Sequence, residues 1–167
     1  MEKWIEPMTT EVDRLQNDKR AIFRMNPEVA MTFFREHPGA ILYQSKGIFV
    51  EEASGKRRAL GAINEAHVRK EEEELVDTAS VDIATLRVIL RLGVLKGMQI
   101  RSTEVSQAFL HTLLNEADRD LGILCQAPRV FIDAGVCPKG EVWRIQKNLY
   151  GLKRSLTGWG TNRDKSA

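Results

Sequence analysis

The chain has 167 residues, of which 43% are hydrophobic and 29% charged, and the 25 basic and 23 acidic residues give a net charge of +2. These values fit one globular domain with an apolar core, and the net charge is too small to argue for nucleic-acid binding by itself. Two cysteines without CxxC spacing argue against a zinc site or a disulfide framework. No apolar run reaches the ~18 residues of a membrane span, and the N-terminal stretch MEKWIEPM lacks the signal-peptide pattern. We therefore expect an intracellular protein, of the cytoplasm or the nucleus, without membrane partners.

Two amphipathic helices are predicted in the first forty residues. Met8, Val12 and Leu15 recur at the spacing of one helix face. In the next segment Asn26 can cap a helix that begins at Pro27, and the sequence HPG ends it.

A hairpin and a long helix follow. Strand-forming residues lie on both sides of the turn sequence ASGK, which predicts two antiparallel strands. After a polar connection, IATLRVILRLGVLK has the clearest helical pattern in the chain. Ser80 or Asp82 can cap this helix, and Gly97 can end it.

The second half contains shorter elements. MQIRSTEV has strand character, SQAFLHTLL predicts a short helix or turn, and LGILCQA predicts a strand. A short helix is expected between Pro128 and Gly135, then a strand or hairpin in EVWRIQKNLYG, and then the start of a helix in SLTGWGTNRD. Helices and strands are mixed without strict βαβ alternation, which favours an α+β fold over a doubly wound sheet.

Three stretches of the second half form a distinctive ordered set. An acidic residue, Glu104, is followed by Ala-Phe-Leu; LCQAP comes next; and VWRIQKNLYGLKRSLTGW follows. Their order and spacing resemble the copia-type reverse transcriptase domain of long-terminal-repeat retrotransposons. WIEPMTTEVDRL and SGKRRALGA are similar to the family's opening motif and basic strand, so the resemblance extends from Trp4 to Trp159. The closing stretch looks most like the divergent copia-type elements of dinoflagellate genomes.

This resemblance implies the fingers and part of the palm of a right-hand polymerase. Residues 1–80, approximately, would form the fingers-like part and residues 81–167 partial palm and fingers, truncated before the family's Tyr-x-Asp-Asp hairpin. The implied activity is RNA-directed DNA polymerisation by a nucleotidyltransferase of a Pol polyprotein. The implied cofactor is Mg²⁺ held by carboxylates, and the implied partners are an RNA or DNA primer–template and the integrase and RNase H segments.

Departures from the family pattern bear on catalysis. Glu104 stands where the family has the first metal-binding, catalytic Asp; the alternative is an acid at a strand end that holds no metal. Leu60 stands where the basic strand of the family has an Arg, and no Tyr-x-Asp-Asp occurs in the 167 residues. Because two metal ions need more than one carboxylate, we expect this chain alone to be catalytically inactive.

The remaining implied site residues would contact nucleic acid or nucleotide. Lys56, Arg58 and Lys153 are the phosphate or template contacts. Tyr150 and Gly151 belong to the loop that supports template and incoming nucleotide in the family, and a plain hairpin turn is the alternative interpretation of that loop.

Two other functions stay open at this point. One is a non-catalytic nucleic-acid-binding or protein-interaction module built on the retained fingers. The other is a pseudogene-derived product without activity. The salt dependence of primer–template binding separates nucleic-acid binding from the inactive product, because counterion release makes phosphate contacts strongly salt-dependent.

Overall fold

A computed structural model describes residues 1–64, 81–101, 105, 107–152 and 155. The described helices are α1 Ile5–Asp13, α2 Pro27–Glu36, α3 Ile83–Leu95, α4 Glu116–Leu121 and α5 Arg129–Asp133. The described strands are β1 Ile22–Met25, β2 Ile41–Glu51, β3 Arg57–Asn64, β4 Ile123–Gln126 and β5 Val142–Ile145. A π-helical turn, Arg14–Asp18, continues α1, and 3-10 turns cover Glu2–Trp4 and Ala108–His111. This mixture confirms the expected α+β class.

The five described strands form one mixed sheet in the order β1-β5-β4-β2-β3. Neighbours are antiparallel except β2 and β4, which run parallel. The long strand β2 changes partner along its length. Its first three residues, Ile41 to Tyr43, pair with β4, and the part from Gln44 to Glu51 pairs with β3. The predicted β2–β3 hairpin is therefore confirmed, and it extends past the rest of the sheet.

Local signals explain how two helices begin and how one of them ends. The side-chain oxygen of Asn26 accepts a hydrogen bond from Val29 N at 2.8 Å at the start of α2. Asp82 Oδ1 accepts one from Thr85 N at 2.9 Å at the start of α3. Each cap satisfies a backbone donor that the helix leaves free. Gly97 adopts φ +64°, so α3 ends where the sequence predicted.

The core lies on both faces of the sheet. The larger cluster joins α1 and α5 to one face, with Trp143 and Phe131 fully buried and their ring centroids 6.5 Å apart. The smaller cluster lies beneath α2 and includes Phe33 and Leu124. Since successive strand residues point to opposite faces, Leu124 belongs to the second cluster while its neighbour Cys125 belongs to the first.

A buried polar network joins β1 to β5. Glu141 accepts two hydrogen bonds from Arg24, each of 2.7 Å, and one from Trp143 Nε1 at 2.6 Å. The bidentate geometry supplies the hydrogen bonds that a buried carboxylate needs to offset its loss of hydration.

One sequence prediction was wrong and two elements were missed. Residues 98–101 of the predicted strand MQIRSTEV form no strand, and residues 102–104 lie outside the described part. Met98 N donates to Gly93 O at 2.8 Å, and Ile100 lies over Gly93, so this segment folds back on the end of α3. The missed elements, β1 and α4, are four and six residues long. The helix expected in SLTGWGTNRD falls mostly outside the described residues.

Helix α3 is unusually exposed. All its residues except Gly93 are exposed, although most of them are aliphatic. The apolar face that the sequence predicted is thus present on the helix but is not covered by the described residues.

Candidate nucleic-acid interface

A cleft of about 560 Å³ lies between the N-terminal helical segment and the tip of the β2–β3 hairpin. Its volume lies within the range of small-molecule sites. Five of its eleven lining residues are cations and two are acids. They are Lys3, Glu6, Pro7, Thr10, Glu11, Arg14, Gly55, Lys56, Arg57, Arg58 and Ala59. The cleft therefore gathers basic groups from two segments that are some forty residues apart in sequence.

Glu11 forms the base of this cleft. Its side chain is buried, and its Oε1 accepts a hydrogen bond from Gly61 N at 3.2 Å. Its Oε2 accepts a hydrogen bond from Arg14 Nη2, three residues later in the helical segment. One buried carboxylate thus fixes the position of β3 relative to α1 and orients a guanidinium beside the hairpin.

Two arginines of the hairpin are paired with its own carboxylates. Arg57 Nη2 lies 3.2 Å from Glu51 Oε1, and its guanidinium carbon lies 5.9 Å from the Trp4 ring centroid. Arg58 Nε lies 2.7 Å from Glu52 Oε1. Both pairs are partly solvent-exposed, and such pairs contribute only ~0–1 kcal/mol. A phosphate group can therefore compete for these guanidinium groups.

Lys56 differs from these arginines. It is exposed in the turn between β2 and β3, and its ammonium makes no ion pair within the described part of the chain. A compact, hydrated cation at a hairpin tip is available to a phosphate without displacing a carboxylate.

The loop after β5 packs against β3. Ile63 N donates a hydrogen bond to Tyr150 O at 2.8 Å. Gly151 has φ +90°, and a Cβ built on it would lie 1.9 Å from Ile63 O. Leu149 and Leu152, on either side, are buried. Glycine is required here both by the backbone conformation and by the close approach of the neighbouring strand.

Arg14 lines the cleft and lies close enough to this loop for Tyr150 to affect its charge. Gln107 Oε1 accepts hydrogen bonds from Arg14 Nε at 2.9 Å and from Arg14 Nη1 at 2.5 Å. The oxygen and nitrogen of the Gln107 amide are assigned so that these two hydrogen bonds form. Burial lowers the pKa of Arg14, the nearby Tyr150 raises it, and the charge of Arg58 lowers it further. Arg14 is therefore within electrostatic range of both the loop and the basic strand.

The implied site residues are thus partly brought together. Lys56 and Arg58 line the same cleft, and Tyr150 and Gly151 lie against the strand that carries Arg58. Lys153 and Glu104 lie outside the described residues, so their implied roles stay predictions.

Sequence reasoning missed Arg14 and Glu11. Their three-residue spacing in a predicted helix was a readable signal of an ion pair. Nothing in that spacing indicates that the carboxylate is buried or that it also accepts from Gly61 N, because that partner is remote in sequence.

Tyr150 provides a test of this arrangement by titration. Burial raises the pKa of Tyr150, and the nearby Arg14 opposes that shift by a smaller amount. Tyr150 and Tyr43 are the only tyrosines in the sequence. The difference between ultraviolet titrations of the native chain and a Tyr150→Phe variant should show ionisation above the ordinary value of 10.0.

The raised pKa of Tyr150 determines how the stability of the fold depends on pH. Because the folded state favours the neutral phenol, its contribution to the free energy of unfolding is fully present below about pH 10. It is lost as the pH rises through the folded-state pKa. Ionisation at or below the ordinary value would contradict the half-buried position of Tyr150.

A metal site is not assembled by the described residues. No group of three or more His, Cys, Asp or Glu side chains in the described ranges could hold a metal ion. Glu104, the implied ligand, is outside those ranges, so the expectation of Mg²⁺ stays a prediction and no step is derived from it.

None of the helices described in the structure combines the length and apolar character needed to cross a bilayer. In comparisons with known proteins, the chain matches no family model, and no curated protein and no solved structure is significantly similar to it.

Proposed function

We propose that this chain binds a primer–template through the cleft between the N-terminal helical segment and the β2–β3 hairpin, as the fingers and partial palm of a copia-type reverse transcriptase. The observation that carries the proposal is the gathering of five cations in one cleft, two of which, Lys56 and Arg58, were implied by the motif resemblance. Neither the composition nor the net charge would have placed a basic cleft at this hairpin.

The loop of Tyr150 and Gly151 supports the same proposal. It packs on the strand that carries Arg58, at the hydrogen bond between Ile63 N and Tyr150 O. Two motifs that are far apart in sequence but share an implied role in nucleic-acid binding therefore meet at one strand. Gly151 permits this close approach because it has no side chain.

The proposal concerns binding, and polymerisation by this chain alone is not part of it. Phosphate contacts by lysine and arginine position a nucleic acid without reading its sequence. We accordingly expect sequence-independent association with a primer–template, and we expect the affinity to fall steeply as salt is raised.

Charge removal at the hairpin tests this function. In a Lys56→Gln, Arg58→Gln double variant, affinity for a fluorescein-labelled RNA–DNA primer–template should fall about tenfold or more at low salt. Measured between about 50 and 200 mM NaCl, the slope of log affinity against log salt should decrease by roughly 0.7–0.9 for each phosphate that is no longer neutralised. Fluorescence anisotropy provides both quantities.

Arg129→Gln is the matched control. Arg129 is an exposed arginine on α5 that does not line the cleft, so its replacement should leave affinity and slope unchanged. Equal reductions in the control and in the double variant would indicate non-specific attraction. Weak binding by the native chain, with a flat salt response, would reject the function and favour a module or product that does not bind nucleic acid.

A further inference from the structure

The hairpin has one fewer cation than the implied family pattern, because Leu60 occupies the position of a second strand cation. Leu60 is half-buried and lies opposite Ile48 in the β2–β3 register. It cannot bind a phosphate through charge. Arg57, the other hairpin arginine that lines the cleft, already lies against both Glu51 and the Trp4 ring, and the remaining guanidinium group of the cleft comes from the N-terminal segment.

Arg14 is that remaining guanidinium group. It lines the same cleft as Arg58, although it belongs to the π-helical turn after α1. Its guanidinium is held from one side by buried Glu11 and from another by Gln107. Single π-helical turns occur often at functional sites, and here the turn begins at Arg14 itself.

The electrostatics of the cleft favour an anion beside these two residues. Burial is the main reason that the pKa of Arg14 is lowered, and the positive charge of Arg58 lowers it further, so the two charges repel each other. An anion bound between the two guanidinium groups would attract both and offset that repulsion. The Glu52 carboxylate neutralises Arg58 only through a partly exposed ion pair, which a phosphate with two or more charges can replace.

We propose that Arg14 and Arg58 together bind one phosphate group in this cleft, so that Arg14 supplies from the N-terminal segment the cation that the hairpin lacks at Leu60. The proposal rests on the proposed function, since both assign phosphate binding to the same cleft, and it adds a specific ligand pair. The guanidinium fork matches phosphate oxygens in a way that a lysine ammonium does not.

The test uses inorganic tripolyphosphate and lysine variants of the two arginines. Arg14→Lys keeps a positive charge for Glu11 but removes the fork, and Arg58→Lys does the same at the hairpin. Titration calorimetry should show that each single variant binds tripolyphosphate about 5- to 10-fold more weakly than the native chain. Because both residues would bind the same phosphate, the affinity of the double variant should fall by less than the product of the two single reductions.

The outcomes separate this proposal from the proposed function. If Arg14→Lys bound tripolyphosphate with native affinity while Arg58→Lys bound it more weakly, the role of Arg14 would be overturned. The proposed nucleic-acid-binding function would not be affected by that result. Independent, multiplicative reductions would show two separate phosphate sites and would also overturn the shared phosphate. Failure of the native chain to bind both tripolyphosphate and the labelled primer–template would reject the function itself. Arg129→Lys serves as the control and should bind like the native chain.

A second measurement uses only the native chain and so does not depend on the folding of any variant. The Nε–Hε resonance of Arg14 should shift when tripolyphosphate is added, and the same should hold for Arg58. Resonances are assigned by their disappearance from spectra of the lysine variants or, for a variant that does not fold, through the backbone. An unshifted Arg14 resonance at saturating tripolyphosphate would overturn the proposal.

Discussion

Replacing Gly151 with alanine should lower the free energy of unfolding by about 3–5 kcal/mol, one of the largest effects expected for a single substitution in this chain. The new Cβ would lie 1.9 Å from Ile63 O, and Gly151 also has φ +90°. The loop must therefore move away from β3, which breaks the hydrogen bond from Ile63 N to Tyr150 O. Urea unfolding followed by tryptophan fluorescence measures the destabilisation.

Gly135→Ala separates the steric clash from the cost of the backbone conformation. Gly135 has φ +75°, similar to that of Gly151, but a Cβ there would meet nothing within 4 Å. Its replacement should cost only about 1–2 kcal/mol, the penalty of a left-handed non-glycine residue. If both variants were destabilised equally, the close packing of the loop on β3 would be refuted.

The Gly151 variant also bears on function. If Tyr150 and Gly151 contribute to the interface by packing on β3, displacement of the loop should weaken primer–template binding in molecules that stay folded. Measurement well below the urea midpoint keeps this effect apart from unfolding. Unchanged affinity in the folded variant would confine the loop to a structural role.

Replacing Glu11 with alanine should lower the free energy of unfolding by about 2–4 kcal/mol. The side chain is only 1% exposed, and it accepts from both Gly61 N and Arg14. Its removal leaves a buried backbone donor and a half-buried guanidinium without their acceptor. The helical segment and β3 would then lack the hydrogen bond that joins them through this carboxylate, and urea unfolding measures the cost.

Glu6→Ala is the matched control for this prediction. Glu6 lies on the same helix and lines the same cleft, but it is exposed. Its replacement should change stability by no more than about 0.5 kcal/mol. Glu11→Gln should lie between the two, because an amide oxygen can still accept from Gly61 N but no longer neutralises Arg14. Equal stabilities of the Glu11 and Glu6 alanine variants would contradict the buried position of Glu11.

Elements with strong local signals were predicted well from the sequence. The cap at Asn26 and the glycine at Gly97 mark helix ends, because both act through backbone groups within a few residues. The β2–β3 hairpin was predictable because its two strands flank a short turn. In each case the interacting groups are close in sequence, so composition and spacing contain the necessary information.

Elements that depend on remote partners were missed or wrongly assigned. Strand β1 has only four residues, and it exists because Ile22 to Met25 pair with β5, more than a hundred residues later. The segment after Gly97 has strand-forming residues, yet Ile100 packs on Gly93 and no strand forms at Met98–Arg101. Strand propensity in such segments is a weak signal until a pairing partner is specified.

The candidate site likewise combines residues that have a local sequence signal with residues that depend on remote partners. By itself the sequence determined the basic run Gly55–Arg58 at the hairpin turn, whereas the roles assigned to Lys56, Arg58 and Gly151 came from the motif resemblance. Only the tertiary structure decided that Arg14 and Glu11 join them, and that Gly151 must be glycine because Ile63 O occupies the space of a side chain. The reason is physical: burial and close approach are properties of segments brought together by the whole core, and no local pattern specifies which segments meet.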